Sequence, residues 1–451
     1  MKRFLQMSVG IAAVFVAAHV NAQSSRTPEL LNVLAINRGV GELVPSGFVG
    51  VGARAMGMGG AQIAVVNDGS ALYYNPAMLV HIPRVELSGG ISLIRSNPST
   101  TFGAINPTDA SASASYTRLN NLLVTVPYPV YRGGFTIAFG ATRPTDFAYR
   151  SQREGELSHL GKSFVLDDRI RQEGGISQYA IGFGVQVSEL VSLGAAGSWY
   201  HGGADITRDV SLVQQNPAVG ALPDEYYGAY DETQRLTGFM FSVGTSVRLP
   251  HDLTLGVTVT PPFTYSIKTT WGQEYEEYEG DHVYPYPYSE NSFSYGVRRP
   301  WKFGIGAGWT TYALTLAGDV WYEDWTQARY RDRSPFDSDA SVDAATYFED
   351  RYRSTVRWHL GAEYLLPILK TKARVGYYSA PDPFIGPVLA TNETIRYVDE
   401  AGYFTFGLGW LIDNVVAFDV AYVTGGDKYR SGSLVENRNS RQILVTTAFR
   451  F

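Results

Sequence analysis

The sequence predicts an all-β protein, a 14-stranded antiparallel transmembrane β-barrel with an N-terminal plug, or hatch, inside the lumen. Three observations predict this architecture. Apolar and polar residues alternate with period two through most of the chain, short connections alternate with long ones, and the chain ends in an amphipathic strand. Successive side chains of a strand point to opposite faces, so each such segment can present one face to lipid and one to the lumen.

The last segment of the chain shows the pattern most clearly. One face of this segment is apolar and carries Ile443, Val445, Phe449 and Phe451. The opposite face is mixed and carries Gln442, Leu444, Thr446, Ala448 and Arg450. A membrane-spanning strand needs about nine to eleven residues. The segment is similar to the C-terminal strand that bacterial outer-membrane proteins present to their assembly machinery. We therefore expect that machinery to be a partner, contacted through Phe451.

The first 22 residues have the features of a secretory signal peptide. Lys2 and Arg3 supply positive charge, residues 7–20 form an apolar run, and Val20-Asn21-Ala22 ends in a small residue. The alternative is a membrane anchor, but the run is shorter than the roughly 20 residues that a spanning helix needs. We expect cleavage before Gln23.

The composition excludes several classes of function. A net charge of −6 argues against a nucleic-acid partner, and the absence of cysteine excludes disulfides, zinc–thiolate sites and thiol catalysis. The 30 tyrosines and eight tryptophans are residues that concentrate at membrane interfaces. Together with the strand pattern, they predict a multi-pass protein of the bacterial outer membrane, in contact with its lipid.

Fourteen segments have the period-two pattern of a strand. They lie near residues 84–95, 116–127, 133–143, 176–188, 190–206, 235–249, 252–270, 292–310, 312–326, 353–366, 371–379, 401–412, 414–424 and 439–451. The links after even-numbered strands are short, and those after odd-numbered strands are long and polar, for example 144–175, 207–234 and 327–352. Outer-membrane barrels have short periplasmic turns and long external loops, whereas a soluble β-sandwich does not sort its loops by length.

The alternation also assigns a face to each side chain. We expect Phe183, Val257, Leu360 and Val445 to face lipid. The opposite parity is rich in small residues, and its isolated charged or titratable members are Asp319, Glu323, Arg357, His359 and Glu363. Small lumenal residues leave space for the residues that precede the first strand, so the predicted domains are a signal peptide (1–22), a hatch (23–83) and a barrel (84–451).

A glycine-rich motif occupies the predicted hatch. It reads G-A-R-A-M-G-M-G-G-A over residues 52–61, D-G-S-A-L over 68–72 and N-P-A over 75–77. Dense glycines permit close backbone approaches, and we expect Ser70 to cap a short helix that Pro76 ends. The run resembles the hatch of the FadL/TodX family of outer-membrane transporters for hydrophobic compounds. The motif residues that carry the resemblance are Gly57, Gly59, Gly60, Asp68, Asn75, Pro76 and Ala77.

The resemblance implies a function and a route. Such proteins take up hydrophobic small molecules, such as long-chain fatty acids or aromatic hydrocarbons, by passive diffusion into the lumen and out through a gap in the wall at strand 3. Gly140 and Pro144 are the candidates for this lateral opening, because glycine weakens a strand and proline donates no ladder hydrogen bond. Gly140 could instead accommodate a residue of the hatch. A long region, residues 23–50, precedes the motif and contains a possible helix at Pro28 to Ile36.

Three further residues are candidates for lining the lumen. Met240, Trp321 and Trp325 have the inward parity and could contact an apolar ligand or simply pack against the hatch. The segment Glu274 to Tyr288, which contains Tyr-Pro-Tyr-Pro-Tyr, is expected in an external loop. It is either a stiff spacer or an aromatic surface that captures ligands.

Two other functional classes remain open at this point. Similar glycine and N-P-A patterns occur in barrels that assist secretion, so a secretion-associated or structural barrel is the alternative function. Barrel lipases make an enzyme conceivable, but no Ser/His/Asp arrangement stands out. We therefore predict no enzymatic activity and no catalytic residues. The histidines lack ligand spacing, so we predict no metal site and no cofactor.

Overall fold

The computed structural model describes residues 49–103, 107–159, 162–215, 224–335, 343–386 and 394–451. The predicted signal peptide, the start of the mature chain and the possible helix at Pro28 to Ile36 lie outside the described residues. Within them, no helix is both long and apolar enough to cross a membrane.

The described strands form one antiparallel sheet that closes on itself. The strands are β1 (Glu86–Phe102), β2 (Thr108–Ser111), β3 (Ala114–Tyr128), β4 (Phe135–Asp146), β5 (Tyr149–His159), β6 (Lys162–Gln186), β7 (Val191–Gln214), β8 (Glu225–Leu249), β9 (Leu253–Thr260), β10 (Thr264–Glu279), β11 (His282–Arg298), β12 (Lys302–Thr310), β13 (Leu314–Asp324), β14 (Arg329–Arg331), β15 (Ser354–Leu366), β16 (Thr371–Ser379), β17 (Arg396–Ile412), β18 (Val416–Ser431) and β19 (Leu434–Arg450). β1 pairs with β19 along its whole length, from Glu86 opposite Arg450 to Phe102 opposite Leu434. This pairing closes the cylinder and leaves no edge in the membrane.

The wall consists of 14 strands, as predicted. β9 with β10 and β11 with β12 each make one wall strand that is interrupted at the same height, while β2, β5 and β14 are additions outside this count. Prolines cause the interruptions, because Pro261, Pro262 and Pro300 have no N–H for the ladder. The Arg299 N–H donates to the Phe263 carbonyl at 2.8 Å and holds the two breaks together.

Helices are few and short among the described residues. Two α-helical turns, Ala53–Gly57 and Ala71–Tyr74, and a 3₁₀ helix, Pro76–His81, precede the barrel. A 3₁₀ helix at Trp325–Gln327 and an α-helix at Tyr347–Arg351 lie between β13 and β15.

Several segments predicted as external loops are strands, so those predictions were wrong. β6 pairs with β7 from Gln186 opposite Ser192 to Phe164 opposite Gln214. Together with β4, β5 and β8, these strands place most of 144–175 and more than half of 207–234 in the sheet. Above the membrane the outward face of a strand meets water instead of lipid, so the apolar row on that face ends while the backbone ladder continues. Inward residues such as Phe164 and Leu166 remain buried.

The tyrosine-proline segment is also a strand rather than a loop. It lies in β11, which pairs with β10 along most of its length and with β14 only at Gly296–Arg298. β11 is therefore largely an edge strand above this point, and edge strands tolerate prolines such as Pro285 and Pro287.

Side-chain exposure confirms the predicted faces. Phe183, Val257 and Leu360 point outward and are exposed, and Val445 lies on the same outward face of β19. The inward carboxylates and His359 are buried, and Arg357 is half-buried. A closed barrel with a continuous apolar exterior requires hydrocarbon around it, so the protein is a multi-pass protein of the outer membrane.

Replacing Phe183 with arginine should block assembly, because a cation near the bilayer midplane costs about 2–4 kcal/mol. Val165 provides a matched control, since it lies on the same outward face of β6 and is equally exposed, 42% in both cases, but lies above the membrane. Heat-modifiable gel mobility should be lost in Phe183→Arg and kept in Val165→Arg. Equal loss of heat-modifiable mobility in both variants would contradict the assignment of Phe183 to the membrane and of Val165 to the region above it. Ala180, which faces inward, is a poorer control because it packs against a buried cluster that includes Leu72.

Candidate functional site in the barrel lumen

Residues 49–84, called the N-terminal segment below, pack against the inward faces of strands around the whole wall. The wall side chains that hydrogen-bond its backbone are Glu86, Asn120, Asp319, His359, Thr405 and Thr446. These residues come from six different strands. The segment therefore contacts the wall on several sides rather than along one strand, and β1 follows it at Glu86.

Wall glycines allow the segment to approach closely. A Cβ atom on Gly361 would lie 2.3 Å from the Met58 carbonyl oxygen, and one on Gly376 would lie 2.3 Å from the Gly59 nitrogen. Gly59 itself has φ of +65° and lies against the Leu360 carbonyl. Gly194 and Gly256 make the same kind of contact, with backbone atoms of Pro76 and Ile63, whereas Gly244 lies against the Asn75 side chain. The small inward residues of the wall thus leave room for the N-terminal segment to pack closely against it.

The predicted motif residues shape the segment itself. Gly57 ends the first helix, and Gly59 and Gly60 both have the left-handed backbone that glycine favours. The Asp68 carboxylate accepts hydrogen bonds from the Ser70 N–H at 2.9 Å and from the Ser70 hydroxyl at 2.5 Å. The Ser70 side chain accepts no capping hydrogen bond from the helix that follows it, so the prediction that Ser70 caps this helix was wrong.

The N-P-A triplet joins the segment to the wall. The Asn75 amide donates to the carbonyls of Ile63 at 2.8 Å and Thr245 at 3.2 Å, and its oxygen accepts from the Ala77 N–H. Pro76 starts the 3₁₀ helix, where its missing N–H costs nothing. The triplet therefore ends one helix, caps the next and contacts β8.

A buried carboxylate holds three cations beneath the segment. Glu363 accepts from Arg54 of the segment at 3.3 Å and from Lys372 and Arg374 of the wall at 2.8 and 2.7 Å. Arg374 also pairs with Asp419 at 2.6 Å. Burial alone would lower the pKa of Arg54, but the facing carboxylates, Glu363 foremost, raise it above its ordinary value. Arg54 is therefore always charged and cannot leave Glu363 without leaving an uncompensated charge.

Asp319 makes a second connection. Its Oδ2 atom accepts from the backbone N–H groups of Gln62 at 2.5 Å and Ile63 at 2.9 Å. His359 contacts the Gly59 carbonyl through Nδ1 at 2.7 Å. These inward residues of the wall thus bind the N-terminal segment.

Aromatic side chains fill much of the lumen on the external side of the segment. Trp325 is fully buried, Trp321 and Met240 are half-buried, and all three face inward. The Tyr200 hydroxyl lies 3.5 Å from the Met240 sulfur. The surrounding cluster includes Phe263, Tyr265, Tyr295, Tyr330, Tyr347, Phe348 and Tyr352. Met240 and Trp325 therefore belong to one apolar region, whereas Trp321 is not a member of this cluster.

Sequence reasoning missed a cationic group at the base of this region. The Arg299 guanidinium pairs with Glu323 at 2.5 Å and lies 4.4 Å from the centre of the Trp325 ring. The Lys302 ammonium lies 4.1 Å from the centre of the Trp321 ring. Arg299 lies in the break between β11 and β12, where the period-two pattern cannot predict whether a side chain points into the lumen or out of it. Tyr73 of the segment lies in electrostatic range of Arg299, and burial raises the pKa of Tyr73 to about 12, so it remains a neutral donor.

The wall is irregular between β3 and β4, where the lateral-opening candidates lie. The two strands pair only from Tyr128 opposite Phe135 to Asn121 opposite Thr142. Gly140 lies inside this paired stretch, with Leu123 and Ala180 as its neighbours. Pro144 lies beyond its end.

The N-terminal segment contacts the wall where this pairing stops. The Pro144 carbonyl accepts a hydrogen bond from the Val49 N–H at 2.9 Å. Asn120 accepts from the Gly52 N–H at 2.8 Å and donates to the Gly50 carbonyl at 2.9 Å. Residues 49–52 thus bind one backbone carbonyl of β4 and one side chain of β3 where the two strands stop pairing.

Solved structures of similar fold cover nearly the whole chain. A FadL homologue from Pseudomonas aeruginosa aligns with a TM-score of 0.59 and 13% identity, over 90% of this chain and 100% of that one. The toluene transporter TodX of Pseudomonas putida gives 0.55 and 17%, over 89% and 98%. The toluene transporter TbuX of Ralstonia pickettii gives 0.51 and 14%, over 89% and 98%. At such identities the similarity establishes the fold.

Sequence comparison gives the family. No curated protein matches the chain significantly. The protein-family model described as BamG matches residues 38–364, which is well over half of the 451 residues. The chain therefore belongs to the BamG family, and its architecture is that of the FadL/TodX-type outer-membrane barrels.

Proposed function

We propose that the protein transports hydrophobic small molecules, such as long-chain fatty acids or aromatic hydrocarbons, across the outer membrane by passive diffusion. Ligand enters the aromatic region of the lumen from outside, and the N-terminal segment acts as a plug that blocks direct passage to the periplasm. The toluene transporters of similar fold are named for an apolar cargo.

The observation that carries the proposal is the end of pairing between β3 and β4. Above Asn121 and Thr142 the two strands no longer pair, and residues 49–52 of the N-terminal segment bind the Pro144 carbonyl and the Asn120 side chain there. A small movement of these residues opens the wall beside the outward side chains of Leu119 and Leu122, which face lipid. Apolar solutes gain nothing by entering water, so a lateral exit into the bilayer is the favourable route.

Cross-linking across this site should abolish most uptake. Leu119 and Arg143 are the first outward-facing candidates above the last strand pair, and the chain has no native cysteine. We expect a short thiol-specific cross-linker between Leu119→Cys and Arg143→Cys to stop uptake of labelled palmitate and toluene, and a cleavable linker to restore it on reduction. The same variant without linker controls for the loss of Arg143.

Leu122→Cys with Ala141→Cys is the matched control, because these residues are already paired neighbours below the irregularity. Its cross-linking should leave uptake unchanged. Full uptake through a completely cross-linked Leu119/Arg143 variant would rule out the lateral route.

Assembly of other outer-membrane barrels is a second candidate function, suggested by the family name BamG. One observation favours it: the short periplasmic turns carry apolar side chains that are almost fully exposed, with Tyr131 at 98%, Tyr312 at 92% and Ile368 at 96%. Such tips can contact a protein partner. Phe451, the predicted contact for the assembly machinery, is also exposed, and its N–H donates to the Val85 carbonyl at 2.9 Å.

Depletion of the protein distinguishes the two candidates. An assembly role predicts that the folded, heat-modifiable forms of other barrels decline, and that a Tyr131→Ser, Tyr312→Ser, Ile368→Ser variant fails to restore them. A transport role predicts that only uptake declines. Unchanged levels of other barrels would exclude the assembly role.

A further inference from the structure

Two arginines lie directly opposite each other on the outward face of the β1–β19 pairing that closes the barrel. Arg95 of β1 is the ladder partner of Arg441 of β19, and both side chains are exposed. Arg95 donates to the Asn97 side-chain oxygen at 3.3 Å, and neither arginine forms an ion pair with a carboxylate that the structure describes. Like charges directly opposite each other on neighbouring strands destabilise a sheet. The closing pair of strands therefore carries a repulsive contact.

The two arginines lie at the external edge of the lipid-facing surface. On β1 the outward side chains of Ile91 and Leu93 are exposed, and Arg95 is the next outward residue. On β19 Ile443 is exposed, and Arg441 is the next outward residue toward the external end. Long cationic side chains at such an edge keep their methylene groups against apolar surface and extend the charge to the polar layer. Both guanidinium groups therefore lie at the level of the lipid headgroups of the outer leaflet.

The surface around the two arginines is basic, although the chain as a whole has a net charge of −6. Beyond the apolar row, the outward residues of β1, β18 and β19 include no carboxylate and carry the cations Arg95, Lys428, Arg430 and Arg441. Arg430 lies opposite another arginine, Arg396 of β17, farther from the membrane. The positive charge thus continues outward from the level of the headgroups.

The two arginines also border open space. Together with Asn97, Thr424 and Asn439 they line a recess of about 570 Å³. Its polar lining consists of guanidinium, side-chain amide and hydroxyl groups, and no carboxylate is among its lining residues. The recess therefore offers donors and positive charge to an anion that reaches it from the membrane.

We propose that Arg95 and Arg441 bind a phosphate group of the glycolipid that forms the outer leaflet of the membrane. A guanidinium group binds phosphate through two parallel hydrogen bonds, and clusters of basic residues at a membrane surface bind anionic headgroups. A phosphate between the two arginines replaces their repulsion with a bridge between the first and last strands. Lys428 and Arg430 extend the basic surface toward the rest of the headgroup. The proposal does not depend on what the lumen transports.

Lipid binding by the purified full-length protein in a neutral detergent tests the proposal. The probes are lipopolysaccharide, the same lipopolysaccharide after enzymatic removal of its lipid A phosphates, and inorganic phosphate. Hydrogen bonds to charged groups predict that the phosphorylated glycolipid binds at least about tenfold more tightly than the dephosphorylated one. Equimolar inorganic phosphate should not displace it, because the acyl chains of the lipid also contact the apolar row below the arginines.

Arg95→Gln with Arg441→Gln should remove the preference for the phosphorylated glycolipid, because the change keeps two polar side chains but deletes both charges. Without lipid, the variant should resist urea at least as well as the wild type, since the repulsion between the strands is gone. With lipopolysaccharide, only the wild type should gain resistance. The measurement is the urea concentration at which the heat-modifiable folded band disappears.

Arg169→Gln with Arg171→Gln is the matched control. These exposed arginines of β6 give the same change in charge, but each has its own carboxylate, Asp167 at 2.7 Å and Glu173 at 2.5 Å. The control variant should keep both the preference and the gain in urea resistance. The single variants at Arg95 and Arg441 provide the same test if the double variant does not fold.

Three results would overturn the proposal. The first is equal binding of the two glycolipids, or a folded Arg95→Gln, Arg441→Gln variant that keeps the preference. The second is displacement of the lipid by equimolar inorganic phosphate, which would indicate a site for free anions. The third is lower urea resistance of the lipid-free variant, which would show that the arginines stabilise the closing strands without a bound lipid.

Discussion

Glu363→Gln should destabilise the barrel by about 3–5 kcal/mol, the effect of removing one partner from a buried ion network. The change leaves Arg54, Lys372 and Arg374 facing a neutral amide. Arg374 keeps Asp419 and Lys372 is partly exposed. Arg54 keeps a long hydrogen bond to Gln62 at 3.5 Å and the more distant carboxylate of Asp68 at 3.8 Å. Arg54 should therefore leave its position and take the first helix of the N-terminal segment with it.

The measurement is the urea concentration at which the heat-modifiable folded band disappears. Glu400→Gln is the matched control, because Glu400 also pairs with an arginine, Arg353 at 2.6 Å, but on the exposed surface, where such pairs contribute about 0–1 kcal/mol. Equal shifts in the two variants would show that the buried network does not fasten the segment.

Gly376→Val should displace the N-terminal segment from the wall. A Cβ at this position would lie 2.3 Å from the Gly59 nitrogen and 2.4 Å from the Met58 carbonyl carbon, and backbone atoms cannot rotate out of the way as a side chain can. If the segment is the plug that we propose, its displacement opens a water-filled lumen. Channel conductance in planar bilayers should rise from near zero to that of an open barrel.

Gly318→Val is the matched control for this change. Gly318 is also a strand glycine, but its Cβ would lie 3.4 Å from the Leu360 side chain and 3.8 Å from the His359 carbonyl oxygen, both ordinary contacts. Its conductance should remain that of the wild type. A correctly folded Gly376→Val protein that stays closed would show that the segment does not block the lumen.

The spanning part of the fold could be predicted from sequence because lipid imposes a strict pattern there. Phe183 and Leu360 face hydrocarbon, their neighbours face the lumen, and period two follows from that contrast. Above the membrane the contrast ends, so residues 164–175 gave no strand signal although they pair with β7 as regularly as the spanning part does. The breaks at Pro261 and Pro300 were likewise not anticipated, because each wall strand resumes after them.

The candidate site was only partly predictable for a different reason. The glycine motif indicated that backbone would approach something closely, but the partners, such as Gly361 and Gly376, lie some 300 residues away and look like ordinary strand glycines. The cationic group combines Arg299, which has no parity because it lies in a break, with Lys302 and Arg357 from other strands. Only the closed register of the sheet brings these three together.

Glu86 gives the N-terminal segment a role in the order of folding. One of its carboxylate oxygens accepts from the Gly69 N–H of the segment at 3.0 Å, and the other pairs with Arg450 of the last strand at 2.8 Å. Nearby, the Ala53 N–H donates to Thr446, 393 positions along the chain. These contacts cannot form until the whole polypeptide is present, and contacts between such distant residues form slowly. The segment thus lies across the seam between the first and last strands, so its full set of contacts forms only once the barrel has closed.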